Sequence, residues 1–353
     1  MVGKGIGRFA LKQAEALFPN PVARQAFLDC LSGMPARHRA VVWPQGRSGS
    51  VGGRGPDWWP DCCELVDASV RMGDLPEHTD GRVYSLDPSS VFEGGILQGV
   101  LAGFQAVDSR FWPEDESDYQ DSLPKSGEGR EGLAREANPD AKRGESGQDS
   151  LPRLGQGLGR VCRGKTLVID VCASPGGKSM LAHAILRPGI LICNEAIGKR
   201  LGMLKSNLER CGIAAETRNL DPGRLAEEFE GQADVVIVDA PCSGQSVLVK
   251  GGENPGCFNP RTVESNAMRQ RRILSESARM VAPGGWLMYS TCTYSLQENE
   301  RLIEWFLARN PGFAEAEFAP YAPYKSPFGP GYREWPHAGL GVGGFTCLLA
   351  RRP

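Results

Sequence analysis

The sequence predicts an α/β protein built around a parallel sheet, and three observations support this. After Lys165, short apolar segments alternate with longer amphipathic ones, which is typical of strands joined by crossover helices. Residues 235–238 are all β-branched, as expected for a strand buried on both faces. Acidic residues follow several of the apolar segments. Because ligands of open α/β sheets bind beyond the carboxyl ends of the strands, these acids indicate where the site lies.

Length and composition exclude several classes of protein. The 353 residues allow a core domain of about 200 residues and a smaller second one. No run of about 18 apolar residues occurs, and no apolar segment follows the basic N-terminal residues, so we expect neither a membrane span nor a secretory signal. The formal net charge of -2 argues against a simple basic RNA-coating protein. Eleven cysteines and four histidines lack metal-site spacing, which predicts a cytoplasmic protein with reduced thiols and no metal.

The N-terminal residues predict a smaller α+β segment. Apolar residues recur with helical spacing over 9–31, and the interruption at Pro19 and Pro21 predicts two short helices. Residues 83–86 predict a strand. In the turn that follows, at 87–90, an Asp or a Ser is expected to cap a helix extending to Phe104.

A passage rich in Pro and Gly, between Pro35 and Pro60, interleaves basic and aromatic residues. Such residues can hold single-stranded RNA through phosphate contacts and base stacking. The alternative is a loop whose tryptophans pack against the main domain, and without a module signature both interpretations stay open. The residues concerned are Arg37, Arg39, Trp43, Arg47, Arg54, Trp58 and Trp59.

Residues 112–160 differ from the rest of the chain. They are rich in Glu, Asp, Gly, Ser, Lys and Pro, with few large apolar residues and no periodicity. Such a segment cannot bury enough apolar surface to offset its ordering entropy, so it predicts a flexible low-complexity insertion. The chain thus divides into an N-terminal accessory segment (1–111), this insertion (112–160) and a main domain (161–353).

The main domain is expected to alternate strands and helices. The helix at 263–281 should end at Pro283-Gly-Gly, and Ser295 with Glu298 has the spacing of a capping box for the next helix. The predicted strands are 166–171, 189–194, a short one before Asn219, 234–239, 286–290 and 345–350, and the predicted helices run through Leu181 and Ile185 and over 201–211, 263–281 and 297–309.

The loop at 172–179 has two adjacent glycines and admits three interpretations. A P-loop requires Gly where Cys172 stands, and no Mg²⁺ site accompanies it. A dinucleotide fingerprint requires three spaced glycines; one match, at 339–344, follows no predicted strand and is interpreted as chance. The third interpretation is an adenosyl cofactor whose amino-acid end meets the loop at a helix N-terminus.

Acids after successive strands favour the third interpretation. Glu195 follows the second strand and can bind both ribose hydroxyls. Asp221 follows the third strand and can accept a hydrogen bond from the adenine amino group. Asp239 ends the fourth strand. Each acid alone could equally cap a helix or a loop, but together they predict S-adenosylmethionine and a methyltransferase.

Cys242 and Cys292 follow two strands that are expected to be adjacent or nearly so. Carbon 5 of a pyrimidine is too poor a nucleophile to take a methyl group directly. A thiolate that adds to carbon 6 makes an enamine-like intermediate that can attack a methyl sulfonium, and protonation of ring nitrogen 3 assists the addition. Two cysteines, one acid and an adenosyl cofactor cover these steps.

Four stretches carry a family resemblance: Asp-Val-Cys-Ala-Ser-Pro-Gly-Gly-Lys-Ser (170–179), Ser-Asn-Leu-Glu-Arg-Cys-Gly (206–212), Asp-Ala-Pro-Cys-Ser-Gly (239–244) and Tyr-Ser-Thr-Cys-Thr-Tyr-Ser-x-x-Glu-Asn-Glu (289–300). They resemble motifs of the RNA 5-methylcytosine methyltransferases of the NOL1/NOP2/Sun (Fmu-like) family. The likeness covers residues 165–350 strongly and 9–104 weakly. It implies a Rossmann-like class I S-adenosylmethionine-dependent methyltransferase domain at 161–353, with the smaller α+β segment before it as the RNA-binding or accessory part.

The resemblance also implies roles that spacing does not assign. Cys292 matches the family's nucleophile, and Cys242 matches the cysteine that assists breakdown of the covalent adduct. Asp239 and Lys178 match groups near the target cytosine. The residues that the resemblance places at the cofactor are Cys172, Ala173, Ser174, Pro175, Gly176, Gly177, Lys178, Glu195, Asp221 and Asp239.

The chain departs from the family pattern at several places, and the insertion at 112–160 is unusual for the family. Ser174 stands where Ala is usual, a change we expect to be harmless. Gln245-Ser246 replaces the more common Glu-Gly, and we expect this to alter the loop near the base. Few residues follow Phe345, so we expect target choice to rest on residues 1–111, the insertion or a partner protein rather than on a C-terminal RNA-binding domain.

The expected function is cytosine-C5 methylation of RNA by a covalent cysteine mechanism, with ribosomal RNA as the first candidate substrate and transfer RNA as the second. One alternative is a non-catalytic RNA-binding ribosome assembly factor, although every motif residue is present. Another is a methyltransferase for small molecules or protein side chains, which would need no cysteine pair. The sequence does not indicate which cytosine is modified.

Overall fold

A computed structural model of the chain describes residues 7–33, 38–103 and 166–353. The predicted insertion at 112–160, the domain boundaries around it, and Arg37 and Phe104 lie outside the described residues. The α-helices are α1 (Arg8–Leu17), α2 (Pro21–Leu31), α3 (Pro76–Thr79), α4 (Pro88–Gly95), α5 (Gln98–Gly103), α6 (Gly177–Leu186), α7 (Gly198–Arg210), α8 (Pro222–Glu228), α9 (Pro260–Met280) and α10 (Glu300–Leu307). The strands are β1 (His38–Val42), β2 (Cys63–Asp67), β3 (Tyr84–Leu86), β4 (Leu167–Asp170), β5 (Ile190–Asn194), β6 (Glu216–Arg218), β7 (Ala233–Asp239), β8 (Val281–Thr291), β9 (Phe313–Glu315), β10 (Tyr332–Glu334) and β11 (Gly344–Arg351).

The central sheet has eight strands, seven of them in the order β10-β11-β8-β7-β4-β5-β6, while β9 pairs with β11. Strands β4 to β8 are parallel to one another, and β11 runs antiparallel to β8. The chain builds outward from β4 through β5 to β6, then returns to place β7 on the other side of β4. This reversal is the topological switch point where open α/β sheets bind ligands. The predicted Rossmann-like α/β fold is confirmed.

The register of two central strands places the predicted site. Asp239 of β7 lies directly beside Ser290 of β8, and both side chains belong to the carboxyl end of the sheet. The segments that carry Cys242 and Cys292 therefore leave the sheet next to each other.

The N-terminal segment shares its core with the central sheet. Strands β2-β1-β3 form a small antiparallel sheet, and helices α4 and α5 pack beside α6. Residues of both parts, including Val42, Phe92, Leu181 and Met288, belong to one buried apolar cluster. Within the described residues, no helix combines the length and apolar character needed to cross a membrane.

The described part of the passage at 35–60, residues 38–60, contains strand β1 where a loop was the alternative considered. Trp43 and Trp59 are buried, with 0% and 6% of their surfaces exposed. Trp58 packs edge-on against Phe92 and Tyr321, with ring centroids 5.6 and 5.3 Å apart. Packing against the main domain is thus observed for Trp58 and Trp59, whereas Trp43 is buried in a smaller cluster within the N-terminal segment.

Three local predictions require correction. The helix expected to run to Phe104 is broken at residues 96–97 into α4 and α5, although Asp87 caps α4 as predicted by accepting the Ser89 N–H at 3.0 Å. Pro283 lies within β8 because the strand begins immediately after α9. The last predicted helix starts at Glu300 and not at Gln297. One half of the predicted capping box is present, because the Glu298 N–H donates to Ser295 Oγ at 3.4 Å, but the Glu298 carboxylate binds a distant loop.

The aromatic contact between the two parts of the protein predicts a stability effect. Replacing buried Phe92 by Ala removes its packing against Trp58 and Tyr321. We expect the free energy of unfolding to fall by about 3–5 kcal/mol, the usual cost of Phe→Ala in a core. Urea denaturation followed by circular dichroism measures this. Val22→Ala, at a side chain 77% exposed, is the matched control and should change it by less than about 0.5 kcal/mol. Equal values for both variants would contradict a shared core.

Candidate active site

Two cysteines meet at the carboxyl end of the sheet. Cys242 follows β7 and Cys292 follows β8, and their Sγ atoms are 3.4 Å apart. The backbone ties the two loops together, because the Ser246 N–H donates to the Cys292 carbonyl at 3.3 Å. The expected adjacency of the two thiols is confirmed.

The two thiols differ in acidity. A hydrogen bond from Cys242 lowers the pKa of Cys292 to about 7. Burial opposes this shift, whereas a hydrogen bond from the Ser246 hydroxyl and the charge on Lys178 also lower the pKa. The hydrogen bond between the two thiols, together with burial, raises the pKa of Cys242 well above its usual value. Near neutral pH a large share of Cys292 is therefore thiolate, with the Cys242 thiol as its hydrogen-bond donor.

A buried charge network adjoins the pair. Lys178 Nζ donates to Glu93 Oε2 at 2.6 Å and to Asp239 Oδ2 at 3.2 Å. Burial opposes the charge on Lys178, but the two carboxylates outweigh it and raise its pKa. The side chains of Lys178 and Glu93 are almost fully buried, whereas that of Asp239 is 35% exposed. Asp239 is thus the most exposed member of the network.

A second buried carboxylate holds the loop that carries Cys242. Glu298 accepts the Ser243 N–H at 2.8 Å, the Ser243 hydroxyl at 2.6 Å and the Gln270 side-chain amide at 3.0 Å. Ser243 directly follows Cys242. Because charge-assisted hydrogen bonds in a buried position are strong, Glu298 acts as a clamp on this loop.

The two thiols and the network of Lys178, Glu93 and Asp239 line a cavity of about 750 Å³, which we call the cysteine cleft. Its walls are the glycine loop, the acids after the strands, the two cysteine loops and the start of α4. Predicted residues found on these walls are Cys172, Ser174, Pro175, Lys178, Glu195, Asp221, Asp239, Cys242 and Cys292. Ala173 and Gly177 line a neighbouring cavity instead. Gly176, with φ +118, provides the left-handed turn that opens α6, a backbone conformation that a side chain would strain.

The two predicted cofactor acids differ in how far they are already paired. Glu195 Oε1 accepts the Ile197 N–H at 2.9 Å, whereas Oε2 is buried and receives no hydrogen bond within the described part of the chain. Arg200 lies 3.3 Å from Oε2 as an ion-pair partner. Asp221 caps α8 through the Gly223 N–H at 3.0 Å, and its other oxygen pairs with Arg272. Among the described residues, Glu195 Oε2 is therefore held only by an ion pair and can accept a hydrogen bond, whereas both oxygens of Asp221 already accept one.

The departures from the family pattern have visible partners. Ser174 Oγ donates to the Arg200 carbonyl at 3.1 Å, so the added hydroxyl is satisfied. Gln245 is fully buried, and its oxygen accepts the Gln13 side-chain amide at 2.8 Å and the Tyr294 N–H at 3.1 Å. The N-terminal helix α1 thereby contacts the cysteine loop directly.

Sequence reasoning did not identify Glu93 and Glu298 as site residues. Glu93 lies in an apolar helix beside Phe92, and a lone acid among buried positions is a signal that could have marked it. Glu298 was assigned to helix capping, and nothing local indicates its contact with Ser243, 55 residues earlier. Among the described residues, no group of three or more His, Cys, Asp or Glu side chains could hold a metal ion.

Comparison with known proteins agrees with this geometry. The family described as 16S rRNA methyltransferase RsmB/F matches residues 162–349, more than half of the chain. The chain belongs to the 16S rRNA methyltransferase RsmB/F family. This membership confirms the resemblance indicated by the four motifs.

Curated relatives match a shorter stretch. Ribosomal RNA small subunit methyltransferase F of Cronobacter sakazakii is 35% identical over 150 residues, which is 42% of this chain and 31% of the relative. The corresponding protein of Klebsiella pneumoniae is 33% identical over 150 residues, with the same shares. The chain thus matches about a third of the length of these relatives.

Solved structures share the fold over nearly the whole chain. NSun6 from Pyrococcus horikoshii, solved with SFG, gives a TM-score of 0.66 at 16% identity and covers 98% of both chains. A methyltransferase homolog protein from the same organism gives a TM-score of 0.64 at 17% identity, covering 96% of this chain and 93% of its own. At these identities the likeness establishes the fold.

The thiol pair predicts a pH-dependent reactivity. In the unmodified protein, alkylation of Cys292 by iodoacetamide should follow an apparent pKa of about 7. In Cys242→Ala the hydrogen-bond donor is lost, so the thiolate is less stable and the midpoint should move to higher pH. Mass spectrometry of the Cys292 peptide at several pH values measures the rate. Cys211→Ala, a buried thiol elsewhere, is the control and should leave the midpoint unchanged. An unchanged midpoint in Cys242→Ala would show that the pair is not coupled.

The Glu298 clamp predicts a second effect. Glu298→Ala leaves the buried Ser243 N–H without its acceptor and the Ser243 hydroxyl with the Thr293 hydroxyl as its remaining partner, so we expect the free energy of unfolding to fall by about 1–3 kcal/mol. Glu298→Gln keeps one acceptor oxygen and should lose less. Urea titration compares both variants with Glu304→Ala. Glu304 is a half-exposed acid paired with Arg301, and its replacement should lower the free energy of unfolding by less than about 1 kcal/mol. A loss in Glu298→Ala no larger than in Glu304→Ala would contradict the clamp.

Proposed function

We propose that this protein is an S-adenosylmethionine-dependent RNA cytosine-C5 methyltransferase that acts on ribosomal RNA. The observation that carries the proposal is the pair of thiols 3.4 Å apart, one of them a thiolate near neutral pH, beside an acid that faces the same cavity. Methylation at carbon 5 of a pyrimidine requires a nucleophile at carbon 6 and a group that helps to release the adduct. Membership in the RsmB/F family supports ribosomal RNA as the substrate.

The cysteine cleft suits the proposed cofactor. Its volume of about 750 Å³ lies within the usual range for ligands of this size. The buried Oε2 of Glu195 is an acceptor without a hydrogen-bond donor in the described structure, as a ribose hydroxyl would require. The loop at 172–178 meets the N-terminus of α6, where the amino-acid end of the cofactor would bind. S-adenosylmethionine supplies an electrophilic methyl group when bound.

The protein's own residues would then divide the reaction. The Cys292 sulfur forms a bond to carbon 6 of cytosine, and ring nitrogen 3 takes up a proton held by the Asp239–Lys178 pair, so carbon 5 becomes nucleophilic. After methylation the proton on carbon 5 would pass to water in the open cleft, nitrogen 3 would return its proton to the Asp239–Lys178 pair, and the bond between carbon 6 and sulfur would break with its electron pair going to sulfur, so that Cys292 returns as a thiolate. Cys242 lies beside that sulfur and would assist this release. Cys172 stays a thiol because burial raises its pKa, and it would serve binding only.

The roles of the remaining parts follow from the same proposal. Residues 1–111 would serve as an RNA-binding or accessory segment that also completes the site, because they supply Glu93 to Lys178. Transfer RNA is the second candidate substrate, and a partner protein could contribute to target choice. A non-catalytic assembly factor would not need a low-pKa thiolate in an open cleft, and a small-molecule methyltransferase would not need the thiol pair.

The experiment that tests the proposal expresses Cys242→Ala in the producing cell. If Cys242 releases the adduct, RNA should remain covalently attached to Cys292, visible as a slower band on denaturing gels. Sequencing the trapped RNA distinguishes ribosomal from transfer RNA. The band should vanish in the Cys242→Ala, Cys292→Ala double variant, and Cys211→Ala should behave like the unmodified protein. Absence of any adduct, while the unmodified protein still transfers methyl groups, would overturn the two-cysteine mechanism.

A further inference from the structure

A second cavity of about 550 Å³, here called the flanking chamber, adjoins the cysteine cleft. The two cavities share part of their walls, including Lys178, Asp239 and Lys250. The flanking chamber lies between β1 and β3 of the N-terminal segment on one side and the loop at 339–342 on the other. A ligand in one cavity would therefore lie directly beside a ligand in the other.

The charges around the flanking chamber favour an anion. Arg39 is exposed on β1, and its guanidinium makes no hydrogen bond or ion pair within the described residues. Lys250 is half-exposed on the opposite wall, 3.3 Å from Asp87. The acids on the walls are already paired: Asp87 accepts the N–H groups of Ser89 and Val342 and contacts Lys250, and Asp239 contacts Lys178. Arg39 is thus the unpaired charge of the chamber.

The remaining walls are suited to a flat, partly apolar group. Tyr84, Pro336 and Leu340 supply apolar surface, and Ser85 and Ser90 supply hydroxyls. The loop wall is held in place, because the Gly343 N–H donates to Ser89 Oγ at 2.7 Å. A Cβ on Gly341 would lie 2.3 Å from Ser89 Oγ, so position 341 has no room for any residue other than glycine unless Ser89 moves. Apolar walls with a few polar groups, next to a cationic rim, are what a nucleotide base and its phosphate require.

We propose that the flanking chamber binds the ribonucleotide adjoining the target base, with its phosphate on Arg39 and Lys250. This rests on the proposed function, since the target base would occupy the shared wall at Lys178 and Asp239. The chamber would then read or position a neighbour of the target, and the N-terminal β1 would contribute directly to RNA binding. The buried tryptophans take no part in this contact.

The experiment measures methyl transfer to ribosomal RNA from a strain that lacks this protein, at several salt concentrations. Arg39→Ala and Lys250→Ala should each raise KM for RNA by about tenfold, because a hydrogen bond between charged groups contributes on this order. In the double variant, the slope of log KM against log salt should fall by about 0.7, because one phosphate of the single-stranded RNA is no longer neutralised. Arg39→Lys should keep most of the slope. In Arg39→Ala, whose side chain lines the flanking chamber and not the cysteine cleft, kcat and the binding of S-adenosylmethionine should not change.

The matched control is Arg309→Ala. Arg309 is exposed just beyond the end of α10, which starts beside the cysteine loops and so ends towards the opposite edge of the sheet. The Arg309→Ala substitution should leave KM for RNA and the slope of log KM against log salt unchanged. If the double variant keeps the KM and slope of the unmodified protein while methyl transfer proceeds, the chamber is not an RNA site although the proposed function stands. If the unmodified protein transfers no methyl group to any RNA, the proposed function fails and this inference fails with it.

Discussion

The parallel pairing of β7 with β8 is the constraint on which the site depends. Asp239 lies in register with Ser290, and the Ser290 hydroxyl donates to Asp239 Oδ1 at 2.9 Å. A slip by one residue would turn Asp239 to the other face of the sheet and separate the two cysteine loops. Because both strands are buried on both faces, their apolar side chains specify this register strongly. The chemistry at the edge of the sheet therefore rests on packing in its interior.

Buried charge links the N-terminal segment to this edge. Lys178 could not remain charged in the interior without the carboxylates of Glu93 and Asp239, because desolvation would favour its neutral form. Glu93 belongs to α4, and the preceding residue, Phe92, stacks on Tyr321 with the ring centroids 5.0 Å apart. The aromatic core thus positions a carboxylate, the carboxylate positions Lys178, and Lys178 contacts Asp239, the most exposed member of the network. The N-terminal segment contributes to the site as well as to the core.

Much of the fold and of the candidate site could be predicted from local sequence. The strand that ends at Asp239, the glycine loop and the two cysteine motifs all carry their signal within about ten residues, because strand period, turn residues and helix caps are short-range properties. The passage at 35–60 was harder. Its prolines and glycines suggested a loop, whereas β1 is stabilised there by long-range pairing with β2 and β3. Its tryptophans could be assigned to the core only once their contacts were known.

By itself, the sequence determined the fold class, the order along the chain of six of the eight described main-domain strands, and the identities of the groups at their carboxyl ends. Each of these depends on residue type and spacing. The short strands β9 and β10 were not predicted. Only the tertiary structure decided that Glu298 clamps the Cys242 loop, that Glu93 pairs with Lys178, and that Asp221 is already paired with Arg272. These contacts join residues 51 to 85 positions apart, and which of several acids reaches a given donor depends on how helices and loops pack. The acidity of Cys292 has the same origin, because its largest cause is a hydrogen bond from a thiol 50 residues earlier.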